Sequence, residues 1–156
     1  MSTPTTAPTP SACKYCGAAE PGAPAGLREL GSLPASRVYM LFDQRHPGRC
    51  VVASRVHARE LFELDAAQRH AFIDEVGTVA QVLQRALGAD KMNVGFYGDI
   101  VDHLHAHVVP KFAGGADWGA PFALQCEAGD AASCARLDTV FDALRQALAA
   151  VAKRLP

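Results

Sequence analysis

The sequence predicts an α+β domain, and three observations carry that prediction. Short runs rich in β-forming residues are punctuated by turn signals such as Pro47-Gly48 and Gly98-Asp99. Two longer stretches repeat their apolar residues every three or four positions, the period of a helix buried along one face. The chain has 156 residues and is 49% hydrophobic, enough for one domain with a core of its own.

Residues 1–10 are Thr- and Pro-rich and lack any hydrophobic period, so no burial offsets the entropy of ordering them. A disordered tail is expected over 1–12, with a single domain over 13–156. Cys13-Lys14-Tyr15-Cys16 reads as a knuckle whose two thiolates can converge on one Zn²⁺. Residues 17–36 hold many glycines and prolines, with turn signals at Pro21-Gly22 and Leu33-Pro34, and read as an irregular connection.

Residues 37–43 (RVYMLFD) and 49–54 (RCVVAS) are expected to form an antiparallel hairpin around the Pro47-Gly48 turn. His57 lies in the exit from that hairpin, ahead of a short turn at 61–64. Asp65 is a plausible helix N-cap with Gln68 three residues on, as in a capping box. The apolar stripe of Phe72, Val76, Val79, Leu83 and Leu87 follows, and Gly88 closes the helix. The polar residues of this helix, Glu75 among them, read as a solvated face. Residues 91–97 (KMNVGFY) read as a third strand and 104–109 as a fourth, with Pro110 limiting further pairing. A last helix is expected over about 137–154, starting at Ser133 or Asp138 and striped by Leu137, Val140, Phe141, Leu144, Leu148 and Val151.

Charge and composition exclude several classes of function. The 15 Lys and Arg against 16 Asp and Glu give a net charge of −1, which argues against a broad nucleic-acid surface but leaves room for a small phosphate ligand. No run approaches the roughly 20 apolar residues of a membrane helix, and the start lacks a secretory signal, so a cytoplasmic protein without membrane association is expected. Five cysteines, one pair at Cys-x-x-Cys spacing, favour metal or redox chemistry over a disulfide scaffold. Cys50, Cys126 and Cys134 have no partner spacing and read as small buried hydrophobes.

The most informative stretch is His103-Leu104-His105-Ala106-His107-Val108-Val109. A period of two puts three imidazoles on one face of a strand and Leu104, Ala106 and Val108 on the other, toward the core. Two chemistries are open to such a trio. Three imidazoles can hold a catalytic metal that activates water, or one can attack phosphorus as a nucleophile. Cys13, Cys16 and His57 supply a further metal-binding set; if His103 completes it as a closed tetrahedral site, His105 and His107 remain for catalysis.

The run HLHAHVV resembles the signature of the histidine triad (HIT) family. The resemblance extends over most of the chain through PASRVY, PGRCVV, SRVHARELFEL and KMNVGFYGDIVDHLHAHVVPK. It implies a HIT-like α+β fold, an antiparallel sheet of about five strands with one long helix and a C-terminal helix, usually paired into a homodimer. It also implies a nucleotidyl hydrolase or transferase acting at the α-phosphate of a purine nucleotide, such as a dinucleoside polyphosphate or a nucleoside phosphoramidate. By the same resemblance His105 is the nucleophile and His107 contacts the phosphate and aids the leaving group. Asp43 binds ribose hydroxyls, Leu41 lines the base pocket, and Cys13, Cys16, His57 and His103 hold a structural zinc.

This sequence departs from the family pattern at Arg49, where many members carry histidine, and at Ser54, where many carry proline. Asp99 stands where Gln or Asn is common near the phosphates. A carboxylate there repels phosphate, so Asp99 is expected to tune the substrate or weaken activity, which keeps a nucleotide-binding protein with little turnover as the alternative.

Overall fold

The computed structural model describes residues 13–16, 24, 26–124 and 131–155, with the backbone alone at 131–137 and 139. The expected tail over 1–12, the Pro21-Gly22 turn and Cys126 lie outside the described residues, as do the side chains of Ser133 and Cys134.

Five strands and two long helices follow one another: β1 (Leu27–Ser32), β2 (Ser36–Leu41), β3 (Cys50–Ser54), a 3₁₀ turn (Leu61–Glu63), α1 (Ala66–Leu87), β4 (Lys91–Phe96), β5 (His105–Lys111) and α2 (Ala131–Ala152). The strands form one sheet in the order β1-β2-β3-β5-β4, with every neighbouring pair antiparallel. This is the α+β class expected.

Strand alternation divides the sheet into two faces. Val38 and Met40 of β2, Cys50 and Val52 of β3, and Ala106 and Val108 of β5 join Leu104 in the main core. There they meet Phe72, Val76, Val79 and Leu83 of α1 and Phe141, Leu144 and Leu148 of α2, so both apolar stripes cover the same face. The opposite face carries Tyr39, Leu41, Val51 and Ala53, packed with Cys13, Tyr15 and Leu27 in a second cluster. His105 and His107 belong to this second face, where Ala53 pairs with His105 and Val51 with His107 across the β3–β5 ladder.

Helix α1 begins as expected. The Asp65 carboxylate accepts from the Gln68 N–H at 2.8 Å, the Gln68 side chain accepts from the Asp65 N–H at 3.2 Å, and Gly88 caps the other end in the left-handed region at φ 65°.

Four expectations need correction. The connection over 17–36 contains strand β1, paired with β2. Pro110 lies inside β5 rather than at its end; the ladder to β3 stops at Val108, so on that side the missing N–H costs no bond. Helix α2 starts at Ala131, ahead of Ser133 and Asp138, in a stretch whose alanines at 131, 132 and 135 favour helix. Glu75 is not part of a solvated face: it is buried and accepts from the Ala35 N–H at 2.8 Å and the Ser36 hydroxyl at 2.5 Å, which pins α1 to the β1–β2 turn.

Candidate active site and metal centre

Cys13, Cys16, His57 and His103 converge from three separate segments, with one ligand atom of each lying within 4.8 Å of all the others. The Cys13 Sγ is 3.2 Å from the His103 Nδ1, the Cys16 Sγ is 3.2 Å from the His57 Nδ1 and 3.4 Å from the His103 Nδ1, and the two Nδ1 atoms are 3.3 Å apart. Zn–N bonds of about 2.0 Å and Zn–S bonds of about 2.3 Å give a tetrahedron with edges of roughly 3.3–3.8 Å, so these spacings are near those of a closed Cys2His2 site.

The protonation pattern suits a cation as well. The His103 Nε2–H donates to the Ser54 carbonyl at 2.8 Å, which leaves the Nδ1 lone pair directed at the cluster. Burial holds His103 below the usual imidazole range and so favours the neutral ligand form. Burial, then the adjacent Cys13, push the Cys16 thiol up to about 11, and a cation bound there would favour its thiolate form. Among the described residues no other group of three or more His, Cys, Asp or Glu side chains converges in this way.

Beside the cluster, His105 and His107 follow one another along β5 with ring centroids 5.2 Å apart. The His105 Nδ1–H donates to the His103 carbonyl at 2.7 Å, which fixes the tautomer and leaves Nε2 with its lone pair. Burial lowers the His105 pKa. For His107, burial, then the neighbouring His105, Arg49 and Lys14, bring the pKa down to about 3. Its Nδ1 is buried without a hydrogen-bond partner.

Both histidines line a cavity of about 260 Å³ whose walls include Leu27, Leu41, Val51 and Leu124, with Lys14 and Asp99 as its charged members. Leu41 and Asp99 are thus brought to the histidines. Asp43 is not among the lining residues: it is buried, and its carboxylate accepts from the Arg45 N–H, Nε and Nη2 at 3.0–3.4 Å.

Two aromatic contacts complete the site, and neither was expected from the sequence. Tyr15, inside the cysteine knuckle, is buried with its ring centroid 5.3 Å from those of both His103 and His105. Phe122 lies 6.2 Å from His107 and 6.1 Å from Tyr97. The backbone that carries Phe122 is tethered by Arg49, which donates to the carbonyls of Ala123 at 2.9 Å and Leu124 at 3.4 Å. His46 and Asp117, paired at 2.9 Å, and Lys111, which donates to the Asp117 and Ala120 carbonyls, add further ties. The alternation of β3 was a signal for Val51; Phe122 and Asp117 sit in a loop with no period to read. Trp118 stands apart, half exposed in an open groove of about 750 Å³ along β4.

No curated protein matches this chain. Among solved structures, a histidine triad protein from Bradyrhizobium japonicum is 27% identical with a TM-score of 0.69, covering 79% of this chain and 91% of its own. A hypothetical histidine triad nucleotide-binding protein from Sulfolobus tokodaii shares the fold at 15% identity and a TM-score of 0.68, over 89% of this chain and 93% of its own. So does a Zn-bound histidine triad family protein from Mycobacterium smegmatis, at 19% identity and a TM-score of 0.59, over 94% and 100%. The sequence model of the HIT domain matches residues 34–114, just over half of the 156 residues. That match runs from β2 through the whole of β5, and by it the chain belongs to the HIT domain family.

Proposed function

We propose that this protein binds a purine nucleotide in the cavity beside β5 and cleaves it at the α-phosphorus through His105. The observation that carries this reading is the 2.7 Å bond from the His105 Nδ1 to the His103 carbonyl, which leaves the Nε2 lone pair available in a cavity shared with His107. Nε2 forms a bond to phosphorus while the bond from phosphorus to the leaving group breaks, and the leaving group departs with its electron pair. Water then displaces the imidazole and releases the nucleotide, so one hard displacement becomes two easier ones. His107 contacts the phosphate and hands a proton to the leaving group, and an anion beside its buried ring raises its proton affinity for that task.

Leu41 belongs to the base pocket in this scheme, and Asp43 to the ribose, with its carboxylate shared with Arg45. Cys13, Cys16, His57 and His103 hold a structural zinc, which fixes the knuckle to the start of β5 and takes no part in the displacement. The Zn-bound relative of the same fold supports that assignment. Zinc thiolates suit the reducing cytoplasm, and the outer edge of β4, which has no neighbouring strand among the described residues, suits a homodimer. No helix of the described residues is long and apolar enough to cross a membrane.

The test is incubation with diadenosine polyphosphates and an adenosine phosphoramidate, followed by mass spectrometry of the quenched protein. Expected are hydrolysis and a nucleotide bound covalently at His105, with turnover lost by at least about a thousandfold in His105→Ala, as expected where a nucleophile is removed. Binding without turnover instead establishes the second reading, a nucleotide-binding protein, which the carboxylate of Asp99 in the cavity wall favours.

A further inference from the structure

We propose that Lys14, between the two knuckle cysteines, supplies the positive charge that holds a nucleotide's phosphate at His105. This rests on the nucleotide reading above and names the residue that would distinguish nucleotides from nucleosides.

Among the described residues, Lys14 is the only Lys or Arg in the wall of the cavity that His105 and His107 share. The rest of that wall, among the described residues, is mainly apolar, and the carboxylate it contains, Asp99, repels a phosphate. A phosphate monoester carries about two negative charges near neutrality, and an apolar cavity leaves them uncompensated. The other nearby cations, Arg49 among them although its charge also acts on His107, are not part of that wall. Arg49 donates to the Ala123 and Leu124 carbonyls and lies 5.4 Å from the Phe122 ring. Arg37 and Arg55 open on a separate hollow beyond Cys16.

The knuckle also explains how an exposed lysine is positioned there. Cys13, on one side of it, reaches His103; Cys16 reaches both His57 and His103. Tyr15, next in the chain, is buried against the rings of His103 and His105. The Lys14 backbone is therefore fixed from both sides while its side chain is exposed at the cavity. An ammonium acts as a compact point charge and needs no fixed fork geometry, so this arrangement suffices for a phosphate.

The test is calorimetric titration of the zinc-loaded protein with AMP and with adenosine, for wild type, Lys14→Met and Lys14→Arg. Lys14→Met is expected to weaken AMP binding by about tenfold, with adenosine unchanged and Lys14→Arg close to wild type. The salt dependence of AMP binding should flatten in Lys14→Met. Equal AMP affinity in wild type and Lys14→Met overturns the assignment, as does an equal loss for AMP and adenosine, which would place Lys14 at the base. AMP binding that falls only in proportion to lost zinc, measured by metal analysis, also overturns it, because the lysine would then serve the knuckle. A wild type that binds neither AMP nor adenosine overturns the nucleotide reading itself, and this proposal with it.

Discussion

His107 is neutral in the folded protein down to about pH 3, whereas in an unfolded chain an imidazole protonates near pH 6.5. Between those values the unfolded state binds more protons, so stability falls as pH drops from about 6.5 toward 3 and is level above that window. Burial lowers the His46 pKa as well and acts in the same direction. Thermal unfolding across this range should show a shallower acid loss in His107→Gln than in wild type; equal slopes would mean that His107 is not held neutral. Single residues were unevenly legible. The period of two in HLHAHVV located the imidazole face. The separate fates of His103 and His105 depend on the carbonyls of Ser54 and His103, which no side-chain pattern encodes. Gly95 likewise has a reason only in three dimensions: a Cβ there would lie 2.4 Å from the Tyr97 ring, the ring that packs 6.0 Å from His107.

At the scale of elements, α1 carries two polar anchors of unequal worth. Asp65 caps an exposed helix end, and Asp65→Ala is expected to cost about 1 kcal/mol. Glu75 satisfies the Ala35 N–H and the buried Ser36 hydroxyl, so Glu75→Ala strands both and should cost about 2–3 kcal/mol. Urea unfolding of both variants checks the order, and equal losses would show that the buried pair contributes no more than a cap. The capping box of α1 was readable because it is local, and the β2–β3 hairpin because its strands are short, apolar and bounded by Pro47-Gly48. Strand β1 was not. Its buried residues are Leu27 and Leu30, three apart, because the register shifts between Glu29 and Gly31, and a bulge erases the alternation that marks a strand.

For the whole molecule, the cluster of Cys13, Cys16, His57 and His103 joins an N-terminal knuckle, the exit from β3 and the entry to β5. Cys16→Ala is expected to abolish stoichiometric zinc by metal analysis and to lower the melting temperature by several degrees, while His105→Ala leaves both unchanged. Zinc lost in His105→Ala and kept in Cys16→Ala would instead assign the metal to the histidine trio. The two-faced sheet was foreshadowed by alternation in β2, β3 and β5, but its strand order was not, since β3 and β5 are separated in sequence by α1 and β4. That crossover also orders events in time. Pairing β3 with β5 closes about 50 residues, from Ser54 to His105, and carries a larger loop-closure entropy than either local hairpin. His103 stands at the entry to β5, within 3.2–3.4 Å of the two cysteine sulfurs, so a metal held by this cluster would report the late, long-range step of folding rather than its beginning.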